Sequence, residues 1–338
     1  MKALGLDIHG NQFVLEVLTA RGQVAQRVSR PTSARELIDV VQAVPGSKTL
    51  VVEESHLAQW VKRTLEPYVD RLIICDPKRN HWIAKDEFND DQSSAHKLAK
   101  LFQGGYLKEI QHPESKEESL RRLFQHYYDL NHQLTRFKNK LKATFRGEAV
   151  GVAGQGIYEE DQHETWLKKL RKQKHLQHAA RQRFELVDQL ERLKDETSAL
   201  MIKAARKNKA FKWIMSIPGV GEVLAAGYQA LIETPHRFSR KNKLWKYGGF
   251  SNKRHTSDDV VYVDGASNEG NRALKWVVVQ HFQAAVIRSR PGANRFRRKY
   301  EELQRKGLNA TAARRMVCRA LLSTVRAVWM KEELYRDR

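Results

Sequence analysis

The stretch KALGLDI at residues 2–8, followed after a three-residue turn by QFVLEVL at residues 12–18, decides the fold of the N-terminal part. Two apolar runs separated by a short polar turn predict a β-hairpin. The apolar runs Thr49–Val52 and Arg71–Cys75 predict two buried strands, and Leu57–Leu65 predicts a helix between them. This strand–helix–strand unit indicates an α/β domain.

Three carboxylates stand at the ends of these predicted elements. Asp7 ends the first strand, Glu54 ends a later strand, and Asp91 precedes a helix predicted over Ser94–Phe102, which closes a domain at residues 1–112. Carboxylate oxygens at strand ends can hold two Mg²⁺ ions about 4 Å apart, beside the attacking and leaving oxygens of a phosphodiester. A single acid at such a place is more often a cap or a solvated turn residue. The order of all three therefore carries the prediction of a catalytic Mg²⁺ site.

Residues 113–210 predict two long helices separated by the glycine-rich break Gly147–Gly156. Their apolar positions recur in steps of three and four, which is typical of a coiled-coil seam. The helices either fold back on each other or pair with a second subunit, and the spacing leaves both open. The first series is Leu120, Leu123, Tyr127, Leu130, Leu134, Phe137 and Leu141, and the second is Leu186, Leu190, Leu193, Thr197, Leu200 and Ala204.

The remaining domain, residues 211–338, is predicted to be mainly helical, with helices at Arg272–Ile287 and Thr311–Met330. Its Pro218–Gly221 segment is similar to the turn of a helix-hairpin-helix, where small residues such as Gly219 and Gly221 let backbone N–H groups approach a phosphate. A glycine-rich connector without a ligand is the alternative. Residues 246–271 are rich in glycine, serine and asparagine, and we predict a loop there.

Hydroxyl groups stand beside cations in the segment at residues 250–259, where Lys253 and Arg254 are candidate phosphate contacts. A serine there can attack phosphorus only when a base, a metal or cationic surroundings activate it. Spacing alone does not separate the candidates, which are Ser251, Thr256, Ser257 and Ser267.

The charge of the chain indicates a polyanionic partner. Lysine and arginine outnumber aspartate and glutamate by 61 to 39, for a formal net charge of +22. The run containing Arg295, Arg297 and Arg298 also holds an aromatic ring, which favours nucleic acid. We expect the basic helices Arg295–Lys306 and Arg314–Arg326 to contact phosphates.

Several protein classes are disfavoured by the same sequence. No stretch approaches the roughly 18 apolar residues of a spanning helix, so no membrane association is expected. Cys75 and Cys318 show no zinc-ligand spacing, which disfavours a structural zinc and a disulfide framework. The N-terminus lacks the pattern of a secretory signal, and we expect a cytoplasmic protein.

Nearly the whole chain resembles the insertion sequence 110 family of transposases, which includes related pilin-gene invertases. Six motifs in order carry the resemblance, and their order and spacing are more specific than any one of them. They are Gly5–Ile8, Val51–Glu54, Asp91–Ala99 leading to Leu107–Glu109, Ile217–Gly221, Tyr247–Phe250, and Gly265–Asn271 followed by Arg272–Leu274.

The resemblance implies an RNase H/RuvC-like N-terminal domain, a coiled coil and a C-terminal transposase domain that supplies a serine nucleophile. The family's nucleophile falls on Ser257, which would form a phosphoserine link to DNA beside Mg²⁺ held by Asp7, Glu54 and Asp91. The resemblance further implies a bacterial homo-oligomer, a dimer or tetramer, and a structured noncoding bridge RNA that pairs with donor and target DNA.

One position departs from the family pattern. The family has a second aspartate three residues after the position of Asp91, and here Ser94 stands there. A hydroxyl is a weaker, uncharged ligand, and Asp90 or Glu87 would compensate only through a shift of register. Either the site works with three carboxylates, or this copy is a nucleic-acid-binding homologue with impaired catalysis. A separate alternative is an RNA-independent DNA invertase or branched-DNA nuclease.

Overall fold

The computed structural model describes residues 1–76, 91–110, 115–257, 260–266 and 270–337, without the side chains of residues 91–93, 115–117, 253–257 and 260–266. The chain divides into two compact units, Met1–Ser115 and Lys116–Arg338, and each is considered by itself. Within the described residues, no helix combines the length and the apolar character needed to cross a bilayer.

The first unit is built on a five-stranded sheet in the order β3-β2-β1-β4-β5. Strands β1 to β3 form an antiparallel meander, whereas β4 joins β1 and β5 joins β4 in parallel, so the expected hairpin and strand–helix–strand unit are confirmed. The strands are β1 (Lys2–Ile8), β2 (Gln12–Leu18), β3 (Val24–Pro31), β4 (Lys48–Glu53) and β5 (Arg71–Cys75).

Among the described residues of this unit, three α-helices cover the two faces of the sheet: α1 (Ala34–Gln42), α2 (Ala58–Leu65) and α3 (Asp91–Gln103). On one face, side chains such as Leu4 and Leu6 share a core with α1 and α2. Strand β3 and helix α1 were not predicted. Strand β3 has no buried residue, so it lacks the apolar alternation that reveals a half-buried strand.

Helix α3 lies directly against the other face, over β1. A Cβ atom on Gly5 would fall 1.9 Å from the carbonyl oxygen of Ala95, so only glycine allows this approach. Ala99, one turn later, packs with Ala3 at the beginning of β1. Helix α3 therefore runs antiparallel to β1, and its first turn lies towards the strand end that carries Asp7.

The second unit is mainly helical and contains one two-stranded sheet. A π-helix, Gln283–Ile287, continues α10. The other elements are α4 (Ser115–Gly147), α5 (His163–Lys168), α6 (Lys174–Ala205), α7 (Ala210–Met215), α8 (Glu222–Ile232), α9 (Lys241–Tyr247), β6 (Asn252–Ser257), β7 (Val260–Ala266), α10 (Arg272–Phe282), α11 (Arg295–Arg305) and α12 (Ala310–Lys331).

The long helices α4 and α6 fold back on each other within the chain. Lys138 pairs with Glu191, and the rings of Phe145 and Phe184 lie 6.3 Å apart. From the first contact to the second, the residue number rises on α4 and falls on α6, so the two helices are antiparallel. Of the two arrangements that the heptad pattern allowed, the intramolecular one is therefore present.

The seam expected on α6 was wrong in its phase. Three of the four leucines of the second series are exposed, with exposed fractions of 39% at Leu186, 40% at Leu193 and 58% at Leu200. The reason is that Phe184 is anchored in a small core with α4 and α5, which turns a different stripe inwards. The buried residues of α6 are Ala180, Phe184, Val187, Thr197, Met201 and Ala205.

The loop predicted over residues 246–271 was also wrong, because β6 and β7 pair there as an antiparallel hairpin. The β-branched and aromatic run at residues 260–263 was the signal for a strand. The helices predicted over Arg272–Ile287 and Thr311–Met330 are confirmed, as α10 with its π-helix and as α12. They share one core with the N-terminal part of α4 and the C-terminal part of α6, and its largest fully buried side chains include Tyr228, Phe282 and Phe296.

Candidate functional site

An acidic edge forms where the parallel strands β1 and β4 end. Leu6 of β1 is opposite Val52 of β4, so the next residues along the two strands, Asp7 and Glu53, lie in the same row. Burial, and then the negative charge of Asp7, raise the pKa of the Glu53 carboxyl. Both side chains are partly buried, whereas Glu54 is exposed. Glu53 was not among the predicted ligands, although the parallel pairing of β1 and β4 places it beside Asp7.

The first turn of α3 approaches the same edge. Asp91 is the first residue of this helix, and Ser94 is partly buried in its first turn. The side chain of Asp91 and the whole of Asp90 and Glu87 lie outside the described residues. The backbone thus brings together the three places that the sequence analysis selected, while the ligand roles of Glu54 and Asp91 stay predictions.

A buried carboxylate on β2 fixes α3 on the sheet. Glu16, on β2 opposite Gly5, is fully buried and accepts a hydrogen bond of 2.6 Å from Nε of Arg27. Its other oxygen contacts Nδ1 of His96 on α3. An unpaired buried carboxylate would be costly, so this contact favours one position of α3. The start of α3 is held in place as a result.

The chemistry of the acidic edge fits a divalent cation. Among the described side chains, no three histidines, cysteines, aspartates or glutamates gather as ligands. Asp7 and Glu53 nevertheless supply the hard oxygen atoms that Mg²⁺ prefers. Burial and, second to it, the charge of Asp7 raise the pKa of the Glu53 carboxyl, and a bound cation would relieve the repulsion between the two carboxylates.

The two glycines of the 218–221 turn, between α7 and α8, have different roles. Gly219 has φ of +82°, and a Cβ there would lie 2.6 Å from the backbone nitrogen of Ala285 in the π-helix. Packing thus requires glycine at 219. Gly221 caps the start of α8 with φ of −93°, and its Cβ would meet nothing within 4 Å. Only Gly221 has open space at a helix N-terminus, and phosphate contact there stays a prediction.

A buried histidine ties this turn to α8 and α10. Nδ1 of His281 lies 2.9 Å from the Tyr228 hydroxyl, and Nε2 lies 2.9 Å from the carbonyl oxygen of Pro218. Burial lowers the pKa of His281 to about 4, so the ring is neutral at neutral pH. Because a carbonyl only accepts, Nε2 donates to Pro218 and Nδ1 accepts from Tyr228. The sequence analysis did not select His281, because a lone histidine in an apolar helix has no local signal.

Ser257 is the last residue of β6 and pairs with Val260 of β7. The side chains of Ser257, Thr256, Lys253 and Arg254 are not described, and Ser267 lies outside the described residues. Their predicted roles therefore rest on the sequence.

The base of the hairpin, by contrast, is firmly held by α12. Nε of Arg319 donates a 2.7 Å hydrogen bond to the carbonyl oxygen of Phe250. Its Nη2 donates another of 2.7 Å to Oδ1 of Asn252, the first residue of β6. The fork of one guanidinium thus fixes the point where β6 leaves the helical core.

The three arginines predicted to bind nucleic acid have different surroundings. Arg297 donates to Glu301 at 2.6 Å and to the carbonyl oxygen of Val286 at 2.9 Å, which ties α11 to the π-helix. Arg298 pairs with Asp337 at 3.2 Å. Arg295 is exposed. Arg295 is therefore the best placed of the three for a phosphate, and all three assignments stay predictions.

The centre of the second unit is similar to a family of DNA transposases. Residues 212–301 match the model of the Transposase IS116/IS110/IS902 family. The matched segment includes the 218–221 turn, the hairpin with Ser257, and α10 with its π-helix. The match supports a DNA transposase of an insertion sequence. No curated protein matches the chain.

Proposed function

We propose that the chain is the transposase of an insertion sequence, similar to the insertion sequence 110 family, and that it cuts and rejoins DNA through Ser257. The observation that carries the proposal is the family match over residues 212–301, which contains the β6–β7 hairpin whose first strand ends at Ser257. The net charge of +22 supports a polyanionic substrate.

In the proposed reaction, Oγ of Ser257 attacks the phosphorus of a DNA phosphodiester. A bond forms between Oγ and phosphorus, the bond from phosphorus to one sugar oxygen breaks, and the serine proton passes to that leaving oxygen. The hydroxyl of a second strand end then attacks the phosphoserine, which restores Ser257 and joins the new ends. The number of phosphodiester bonds is unchanged, so the exchange requires no external energy source.

The acidic edge is proposed to hold Mg²⁺ through Asp7 and Glu53, with Glu54 and Asp91 as further ligands. The cation would neutralise charge that develops on the phosphate oxygens. The sheet order supports an RNase H/RuvC-like domain here, because β1 and β4 are adjacent, parallel and end together. Glu16 and its partners serve this site by positioning α3.

The proposed partners are donor and target DNA, a structured noncoding bridge RNA and further copies of the chain. The RNA and the assembly come from the family resemblance. The exposed leucines of α6, at 186, 193 and 200, support the assembly because their seven-residue spacing suits a coiled-coil contact with a second subunit.

The test incubates the protein with its flanking noncoding RNA, donor and target DNA, and Mg²⁺, and measures both joined DNA and protein–DNA adduct. Ser257→Ala is expected to abolish both products, and the matched variant Ser251→Ala is expected to retain them. Joined DNA at the wild-type level from Ser257→Ala would overturn the role of the serine. Joining without any RNA would favour an RNA-independent invertase or nuclease.

The same assay distinguishes the proposed metal ligands. Asp7→Asn and Glu53→Gln are expected to lose Mg²⁺-dependent joining. A larger loss of joining in Glu53→Gln than in Glu54→Gln would identify Glu53, which shares the row with Asp7, as the ligand. Calorimetric titration with Mg²⁺ gives a readout independent of activity. Equal binding by wild type and Asp7→Asn would argue against this site.

A second candidate function, nucleic-acid binding with impaired catalysis, is favoured by Ser94 alone. It lies in the first turn of α3, where the family has an aspartate. If catalysis has decayed at this position, Ser94→Asp should increase Mg²⁺ affinity and turnover. No gain in either would count against decay there.

A further inference from the structure

A basic groove of about 580 Å³ opens in the second unit between α9, α11, α12 and the segment that follows α12. Its lining includes six cations and one acid, Glu333. The cations are Lys241, Arg295, Lys299, Arg319, Lys331 and Arg336. Such an excess of positive charge on one concave surface attracts phosphates. Helix α12 and the segment after it lie outside the residues that the family model matches.

An indole ring forms part of the groove wall. Trp245 is partly exposed, and its Nε1 donates a 3.0 Å hydrogen bond to Oγ of Ser323, which fixes the plane of the ring. Nζ of Lys241 lies 5.7 Å from the ring centroid, and Cζ of Arg319 lies 5.5 Å from it. Apolar side chains, among them Met316 and Val328, complete the lining.

We propose that the basic groove binds an unpaired segment of nucleic acid, with phosphates at its cationic rim and a base against Trp245. The inference rests on the proposed function, and it names the strand state that this surface selects. A duplex keeps its bases stacked on each other and offers mainly phosphates, so the indole and the apolar lining would stay without a partner. A single strand offers both chemistries, which is the usual composition of a single-strand groove.

The groove and the serine hairpin share one residue. Arg319 lines the groove and also holds Phe250 and Asn252 at the base of the hairpin. From Asn252 to Ser257 the strand extends about 17 Å at about 3.3–3.4 Å per residue. An unpaired strand in the groove would therefore lie beside the base of the element that carries the proposed nucleophile.

The test uses the full chain with Ser257→Ala, so that no strand is cut, and a fluorescent oligothymidine strand as probe. Anisotropy should show tighter binding of the strand than of a duplex of equal length. Trp245→Ala should weaken single-strand binding roughly tenfold, since stacking is worth about 1–3 kcal/mol per base and 1.4 kcal/mol is tenfold. Duplex binding should change much less.

Two further variants make the result independent of misfolding. Trp245→Phe keeps an aromatic ring, so it should fold as wild type, lose a few-fold in affinity and lose part of the fluorescence quenching caused by the strand. Lys241→Ala with Lys299→Ala should reduce the salt dependence, log Kd against log salt, by about 1.4 for two lost phosphates. Lys172→Ala with Lys207→Ala, exposed lysines outside the groove, is the matched control.

Unchanged single-strand affinity in both Trp245→Phe and the Lys241/Lys299 variant would overturn the proposal. Equal losses of affinity for strand and duplex in Trp245→Ala would also overturn it. This failure is distinguishable from failure of the proposed function. If wild type forms the serine adduct while the groove variants bind normally, only the groove assignment is wrong. If the groove variants lose single-strand binding and wild type forms no adduct, the groove stands and the serine chemistry falls.

Discussion

Acidification should destabilise the second unit through His281. The side chain is fully buried, and burial lowers its pKa from 6.5 to about 4. Above pH 6.5 the ring is neutral in the folded and the unfolded state, so its contacts to Tyr228 and Pro218 contribute fully. As the pH falls towards 4, the unfolded chain takes up a proton that the folded chain excludes. The free energy of unfolding therefore decreases through this window.

The expected loss follows from the size of the shift. At 1.36 kcal/mol for each pKa unit, the difference between 6.5 and about 4 corresponds to a loss of about 3 kcal/mol once the pH is below both values. This is a large fraction of the roughly 5–15 kcal/mol that stabilises a typical domain. The 218–221 turn and the end of α10 should open first, because His281 joins them.

The assay is urea unfolding, followed by tryptophan fluorescence, at a series of pH values from 7 down to about 4. His281→Gln is the matched control, because an amide can hydrogen-bond to both partners but does not titrate. The carboxylates contribute equally to both proteins, so the difference between the two curves isolates the histidine. Parallel curves for wild type and His281→Gln over the whole window would refute the reasoning.

Three other predictions concern the backbone that surrounds the site. Gly219→Ala should lower the free energy of unfolding by about 1–2 kcal/mol from the positive φ alone, and further through the contact with the π-helix. Gly221→Ala should cost less, about 0.5–1 kcal/mol, because its φ is ordinary and only the preference of an N-cap for glycine over alanine is lost. Equal melting temperatures of the two variants would contradict this. Arg319→Ala should increase amide hydrogen exchange across residues 252–266, and exchange confined to other segments would contradict its role. Asn294→Ala removes the cap that accepts from two N–H groups of α11, and urea unfolding should show a loss of about 1 kcal/mol, whereas an unchanged midpoint would contradict it.

Much of the fold was predictable because burial leaves a periodic trace in the sequence. Strands β1, β2, β4 and β5 are short apolar runs, and helices α10 and α12 near the end of the chain carry long apolar faces. Strand β3 has no buried residue, and the phase of α6 is decided by packing around Phe184, which no local pattern contains. The hairpin was missed since glycine and serine around residues 260–266 outweighed its β-branched core.

The candidate site was predictable to a smaller extent. Asp7 stands out because an acid directly follows an apolar run, and the same rule selects a glutamate at the end of β4 without choosing between Glu53 and Glu54. The parallel register decides that Glu53 shares the row with Asp7. His281 and Arg319 were not predictable, because each acts through partners more than 50 residues away in sequence.

The position of Arg319 has a thermodynamic consequence. One guanidinium both lines the basic groove and anchors the hairpin, so a ligand that changes the affinity of Arg319 for Phe250 and Asn252 changes the order of the hairpin. Linkage is reciprocal: whatever factor occupancy of the groove applies to hairpin ordering, ordering of the hairpin applies to occupancy. The sign of this coupling depends on how a bound phosphate acts on Arg319. A phosphate that competes for the guanidinium disorders the hairpin, and one that holds the guanidinium in its present direction orders it. In either case, the proposed strand capture and the proposed presentation of Ser257 are one coupled equilibrium.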